Sequence, residues 1–213
     1  MRTSEESDRK GAGHRKMIPA LACGALLMLA ACDEAATGGL FASVGGKSRA
    51  VLETATLDQG TVTLTPPPGY CIDGSSLKDR GAKQFALIAQ CDLLRSTEEV
   101  TGVNSLAFMT VTAVRSDPNT PLPTAESIAQ TFGPATILYD AVIDNVRVVQ
   151  LSEGGENATH QADPVHWRGV MQANGHTFGL ATYSMQDGSG AGLEGRNLLL
   201  NLARSIRGDA AGS

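Results

Sequence analysis

Aromatic residues make up only 4% of the chain, with a single tryptophan, Trp167. Platforms that stack single-stranded bases need several such rings, so that class of partner is excluded. Basic residues are few and scattered: 17 Lys and Arg against 22 Asp and Glu give a formal net charge of −5. No basic cluster offers a footprint for phosphate, and nucleic acid is not an expected partner. No apolar run reaches the roughly 20 residues that a transmembrane helix needs; the run over residues 17–31 is soon stopped by Asp33 and Glu34. Cysteine is sparse, and its four copies show no Cys-x-x-Cys spacing, so spacing signals neither a thioredoxin-type redox pair nor a zinc site.

What the chain does contain begins near its N-terminus. Arg15 and Lys16 precede the apolar run from Met17 to Ala31, interrupted only by Pro19 and Gly24, and charge followed by so short an apolar stretch is the layout of a secretory leader. A buried core helix over the same residues is disfavoured by that proline and glycine. The run closes in Leu29-Ala30-Ala31-Cys32, two small residues and a cysteine, and resembles the signal of bacterial lipoproteins. The resemblance implies cleavage before Cys32, acylation of Cys32, and attachment to the inner or outer membrane of a cell envelope, facing the periplasm. Cys23, after Ala20-Leu21-Ala22, is a rival acceptor, but it leaves an apolar region of about six residues, below the usual minimum. Several acyl chains anchor a protein without help from a polybasic patch. The expected partners are therefore the membrane, through lipid on Cys32, and another envelope protein.

Residues 1–31 hold five of the basic and three of the acidic residues, leaving 12 against 19 and a net charge of about −7. Cys71 and Cys91 are then the remaining thiols, an even pair in an oxidising compartment, and read as a disulfide. A redox or metal-binding pair is the alternative. Closing a loop of about 20 residues removes denatured-chain entropy worth roughly 3 kcal/mol.

The composition divides the chain into a signal peptide over 1–31, a flexible tether over 32–57 rich in Ala, Gly, Ser and Thr, a single domain over 58–208 and a tail over 209–213. Thr61 to Thr65 alternates as a half-buried strand does, and Pro66-Pro67-Pro68-Gly69 ends it. Apolar runs over 85–90, 105–115, 137–143 and 146–151 read as sheet, the last two joined by Asp144-Asn145 as a hairpin. Thr124 is placed to cap a short helix that ends before Gly133, and Leu193 to Ile206 has the spacing of an amphipathic helix with Gly208 just beyond. Asn174-Gly175 marks a second hairpin. Its register puts Ala173 opposite His176 and Met171 opposite Phe178, with Trp167 on the core side and His166, Arg168, Gln172, Thr177 and Tyr183 on a polar side that meets water or lines a groove. The fold class is α+β, a twisted, mostly antiparallel sheet of about six strands with two or three packing helices.

The opening strand that ends in Pro67-Pro68-Gly69-Tyr70, the central strand, the short helix, Val165-His166-Trp167-Arg168-Gly169, the Asn-Gly hairpin and the terminal helix together resemble the PsbP-like and DcrB-like α/β sandwich. The segments Tyr70-Cys71-Ile72-Asp73 and His166-Trp167-Arg168-Gly169 also resemble uncharacterised bacterial lipoproteins. The resemblance spans residues 58–208 in element order, and it implies a non-catalytic accessory or interaction protein.

Other motifs give no chemistry. Ser75-Ser76-Leu77-Lys78 matches Ser-x-x-Lys but lacks the companion motifs of penicillin-binding enzymes. Gly45-Gly46-Lys47-Ser48 lacks the first glycine and the preceding strand of a phosphate loop. His160, Asp163, His166 and His176 are the only histidine-centred group, and the hairpin register sends His166 and His176 to opposite faces, against a shared metal. No catalytic residue, metal or cofactor is assigned. The expectation is a lipid-anchored, non-catalytic envelope protein that binds a partner; the alternative is a small-ligand binder or hydrolase using His166, Arg168 and Tyr183 on the hairpin's polar face.

Overall fold

A computed structural model describes residues 50–79, 81–96 and 107–208. Cys32, the leader, most of the tether and the tail lie outside the described residues. In chain order the elements are β1 (Val51–Leu52), β2 (Ala55–Leu57), β3 (Val62–Leu64), β4 (Tyr70–Asp73), β5 (Lys83–Gln90), α1 (Cys91–Arg95), β6 (Ala107–Arg115), α2 (Ala125–Gln130), β7 (Ile137–Ile143), β8 (Val146–Leu151), β9 (His166–Ala173), β10 (His176–Ser184) and α3 (Leu193–Arg207). The order of elements behind the sandwich resemblance is thus present.

The fold is α+β, but its antiparallel sheet has eight strands rather than about six, in the order β1-β4-β5-β6-β10-β9-β8-β7. A separate ribbon pairs β2 with β3. The additional strands come partly from residues 51–57, which composition assigned to the tether. β3 lies within the alternation of Thr61 to Thr65, whereas β1 and β2, of two and three residues, are too short to display a period of two. α1 is likewise unmarked, because it starts directly where the apolar run of β5 stops.

Both hairpin turns form as their residues dictate. Asp144 and Asn145 have φ of 50° and 59°, and Asn174 and Gly175 have 51° and 71°, the paired left-handed angles of a type I′ turn. The β9–β10 register is the expected one, with His176 opposite Ala173 and Phe178 opposite Met171. Thr124 accepts from the Ser127 amide at 3.2 Å and caps α2, and Gly208, at φ 78°, closes α3 in the left-handed conformation.

One face of the sheet packs against α3 and the β2–β3 ribbon, around Leu57, Leu64, Ile88, Met109, Val148, Trp167, Met171, Phe178, Leu199 and Leu202. Trp167 is 2% exposed, and its Nε1 donates to the carbonyls of Ala191 and Gly192 at 3.0 and 2.8 Å. The side chain therefore fills the core and also satisfies carbonyls at the entry to α3. The opposite face is covered as well. Cys71, Leu87, Leu94, Phe108, Ala158, Ala162 and Tyr183 form a second cluster, and α2 lays Ile128 and Ala129 over Val149 and Leu151 in a third. The His166–Tyr183 end of the hairpin side expected to meet water or line a groove is thus an interior, while Arg168, Gln172 and Thr177 are half-buried. His166 is 0% and Tyr183 6% exposed. A polar residue on a strand reads as a water-facing position unless a distant segment covers it, and here residues 155–164 and α2 do so.

Cys71 in β4 and Cys91 at the start of α1 form a disulfide, with Cα atoms 4.8 Å apart. The bridge ties the strand to the helix that follows its neighbour β5.

Candidate functional site

The three residues proposed from the hairpin are brought together, but as a covered cluster. Antiparallel pairing sets Tyr183 opposite Phe108 across β10 and β6, and sets Trp167 opposite Thr182, which brings His166 of β9 beside Tyr183. The rings follow that order. Phe108 stacks on Tyr183 with centroids 4.9 Å apart, and His166 stacks on the same tyrosine at 5.5 Å and 10°. Phe132, which follows α2, meets His166 edge-on at 6.1 Å. Two residues along β9, Arg168 places its guanidinium carbon 3.7 Å from the Phe132 centroid and 5.1 Å from that of Tyr183, within range of a cation–π contact with both rings.

Burial sets the electrostatics of this cluster. Desolvation, helped by the neighbouring Arg168 charge, lowers the His166 pKa from 6.5 to about 4, so the imidazole is neutral at neutral pH. Its Nδ1 lies 3.0 Å from the Pro164 carbonyl oxygen, which requires the proton there and leaves Nε2 as an acceptor. That Nε2 is buried and has no partner among the described residues. Desolvation also pushes the Arg168 pKa down. Arg168 is partly exposed, yet its Nε is shut off from solvent and unpartnered among the described residues.

As an active site the arrangement lacks a working pair. With Nδ1 turned to a backbone carbonyl and Nε2 unpartnered, His166 holds no described serine, threonine or cysteine ready for deprotonation. His176 lies on the α3 side, opposite His166, and His160 is exposed in the covering loop. Among the described residues no group of three His, Cys, Asp or Glu side chains is placed to hold a metal.

A second polar cluster was not legible as a site. At the tip of the β2–β3 ribbon, Asp58 accepts from Arg115 Nε and Nη2 at 2.7 and 3.0 Å, from His176 Nε2 at 2.8 Å and from Thr61 Oγ1 at 3.2 Å. The Arg115 guanidinium, aided by His176 and Thr61, holds the Asp58 carboxyl down at about 2 against the opposing effect of burial. Asp58 and Gln59 take φ of 48° and 58°, a costly conformation for side-chain-bearing residues. The contacts explain why it persists: they fasten the ribbon to the ends of β6 and β10. Asp58-Gln59-Gly60 between Ala55-Thr56-Leu57 and Val62-Thr63-Leu64 was the available signal, a turn between two alternating segments.

No protein-family model matches this chain, and no curated protein sequence matches it. Among solved structures it is similar to a point mutant of the protein Mog1, at 10% identity and a TM-score of 0.41 over 72% of this chain and 91% of that one. It is similar to the same degree, 10% and 0.41, to the Ran-binding protein Mog1p of Saccharomyces cerevisiae, over 74% of this chain and 93% of that one. A likeness of that degree says nothing about activity or partner.

Proposed function

We propose that the protein is a lipid-anchored envelope protein, held by Cys32 to the inner or outer membrane and facing the periplasm, whose domain, which takes in residues 51–57 as well as 58–208, acts as a non-catalytic interaction module. The observation that carries this reading is the Cys71–Cys91 disulfide. Such bonds persist outside the reducing cytosol, which agrees with the export implied by Arg15, Lys16, the apolar run and Leu29-Ala30-Ala31-Cys32. The burial of His166 and Tyr183 disfavours turnover by those two groups, since a reacting group needs access to substrate.

Two arms test the proposal. Metabolic labelling with a fatty-acid analogue is expected to mark the wild-type chain and not Cys32→Ala. Crosslinking and mass spectrometry on membranes is expected to recover a specific envelope protein with the wild type and much less of it with Cys32→Ala. Absence of label in the wild type removes the anchor; labelling without any specific crosslinked protein removes the interaction role.

A further inference from the structure

We propose that Arg168 is the receptor for a carboxylate: one carboxylate of a ligand seats on its guanidinium beside the rings of Phe132 and Tyr183. The inference goes beyond the anchored-module reading and does not depend on Cys32.

The first support is a charge without a counter-charge. Among the described arginines, Arg95, Arg115, Arg147 and Arg204 each pair with a carboxylate. Arg168 faces no carboxylate among the described residues: its side chain hydrogen-bonds Tyr183, and its Nε has no acceptor. Arg196 likewise lacks a described carboxylate, but it lies over one ring, Tyr139, whereas Arg168 sits between two. A desolvated cation left in this way is costly unless a partner completes it. The nearest acids in sequence form no ion pair with Arg168: Glu156 Oε2 accepts from the Gly154 amide at 2.9 Å, its charge reaching His166, and Asp163 Oδ1 accepts from the Val165 amide at 2.8 Å. His166 adds no charge and offers an unused acceptor in the same cluster.

The second support concerns the class of anion. The cluster supplies one formal positive charge from a planar fork, which a carboxylate matches in both charge and geometry. A phosphate dianion would leave a net negative charge against two ring faces that are themselves negative. A ligand that also carries a hydroxyl or amino donor would satisfy the lone pair of His166 Nε2. Such a carboxylate can belong to a small organic acid or to the C-terminus of a peptide.

Thermal unfolding of the full chain in detergent micelles, at pH 7.5 and constant ionic strength, decides the matter. The probes are benzoate against benzamide, and a tripeptide with a free C-terminus against its C-terminal amide. The expected result is a saturable rise in Tm of ~3–6 °C at tenfold over the Kd for at least one acid and none for its neutral counterpart. A response to benzoate assigns small acids; a response only to the free-acid peptide assigns a peptide terminus. Arg168→Gln is expected to abolish the rise, and Arg168→Lys, which keeps charge but loses the fork, to weaken binding at least ~10-fold. If Arg168→Gln does not fold, the acid–amide comparison on the wild type stands alone. Equal shifts for acid and amide, no shift for either acid, or an undiminished shift in a folded Arg168→Gln protein overturns the proposal.

Discussion

At the scale of single residues, backbone approach and burial reverse two ordinary expectations. Glycine inside a helix normally costs about 1 kcal/mol against alanine, so Gly195→Ala in α3 would ordinarily stabilise. Here an added Cβ points straight into the carbonyl oxygen of Gly190, and that backbone cannot move aside cheaply. Gly195→Ala is expected to destabilise by ~2 kcal/mol or more, checked by urea unfolding; an unchanged or raised midpoint would show that the turn at 189–191 yields. The second reversal concerns acid. The unfolded chain protonates His166 near 6.5, whereas the folded protein refuses that proton down to about 4. The folded pKa is the lower one, so stability is constant above pH 6.5 and falls as pH drops through that window, by roughly 3 kcal/mol. Asp58 adds a later loss: its carboxylate keeps its charge in the fold to about 2 against the ordinary 3.8, so its stabilisation is present above pH 4 and fades between 4 and 2. His166→Phe, which keeps a ring against Tyr183, is expected to flatten the profile from pH 6.5 to 4 and leave the lower limb intact. Parallel profiles for variant and wild type over pH 7 to 4 would remove His166 as the cause.

At the scale of elements, the strongest covalent constraint joins β4 to α1 through residues 20 apart. Cys71→Ser or Cys91→Ser is expected to cost about 2–4 kcal/mol. Reductant should lower the wild-type midpoint by a similar amount and leave the variants unaffected; a variant as stable as the wild type would show a bridge of no energetic consequence. Legibility also varies element by element. The hairpin at Asn174-Gly175, the cap at Thr124 and the stripe of α3 were readable because turn chemistry, capping and the helical period are local properties. β1, β2 and α1 were not, since they are too short for a period, whereas β3 lies within the alternation read over Thr61 to Thr65. The covering of the second sheet face was hidden for a different reason. Whether His166 and Tyr183 see water depends on α2 and on residues 155–164, which are distant in sequence or irregular in form. Arg168 carried one weak signal, a lone basic residue among apolar and aromatic neighbours in β9.

At the scale of the whole domain, β1, β4, β5 and β6 come from the first half of the described chain, and β7 to β10 from the second. They meet along one ladder, β6 against β10, from His176 opposite Arg115 to Ser184 opposite Ala107. The link between the halves runs through exposed Asp117-Pro118-Asn119-Thr120. Two consequences concern assembly rather than recognition. The β7–β10 meander closes through neighbouring hairpins and can form early, whereas the β6–β10 ladder must bring together residues about 60 positions apart or more and belongs to a late step. The chain is also divisible at that seam. Fragments ending at Asn119 and starting at Thr120 are expected to stay largely unfolded alone, since α3 and the ribbon share one core with both halves, and to recover native-like circular dichroism when mixed. Failure to reassociate would mean that continuity of the chain, and not the ladder, holds the two halves in register.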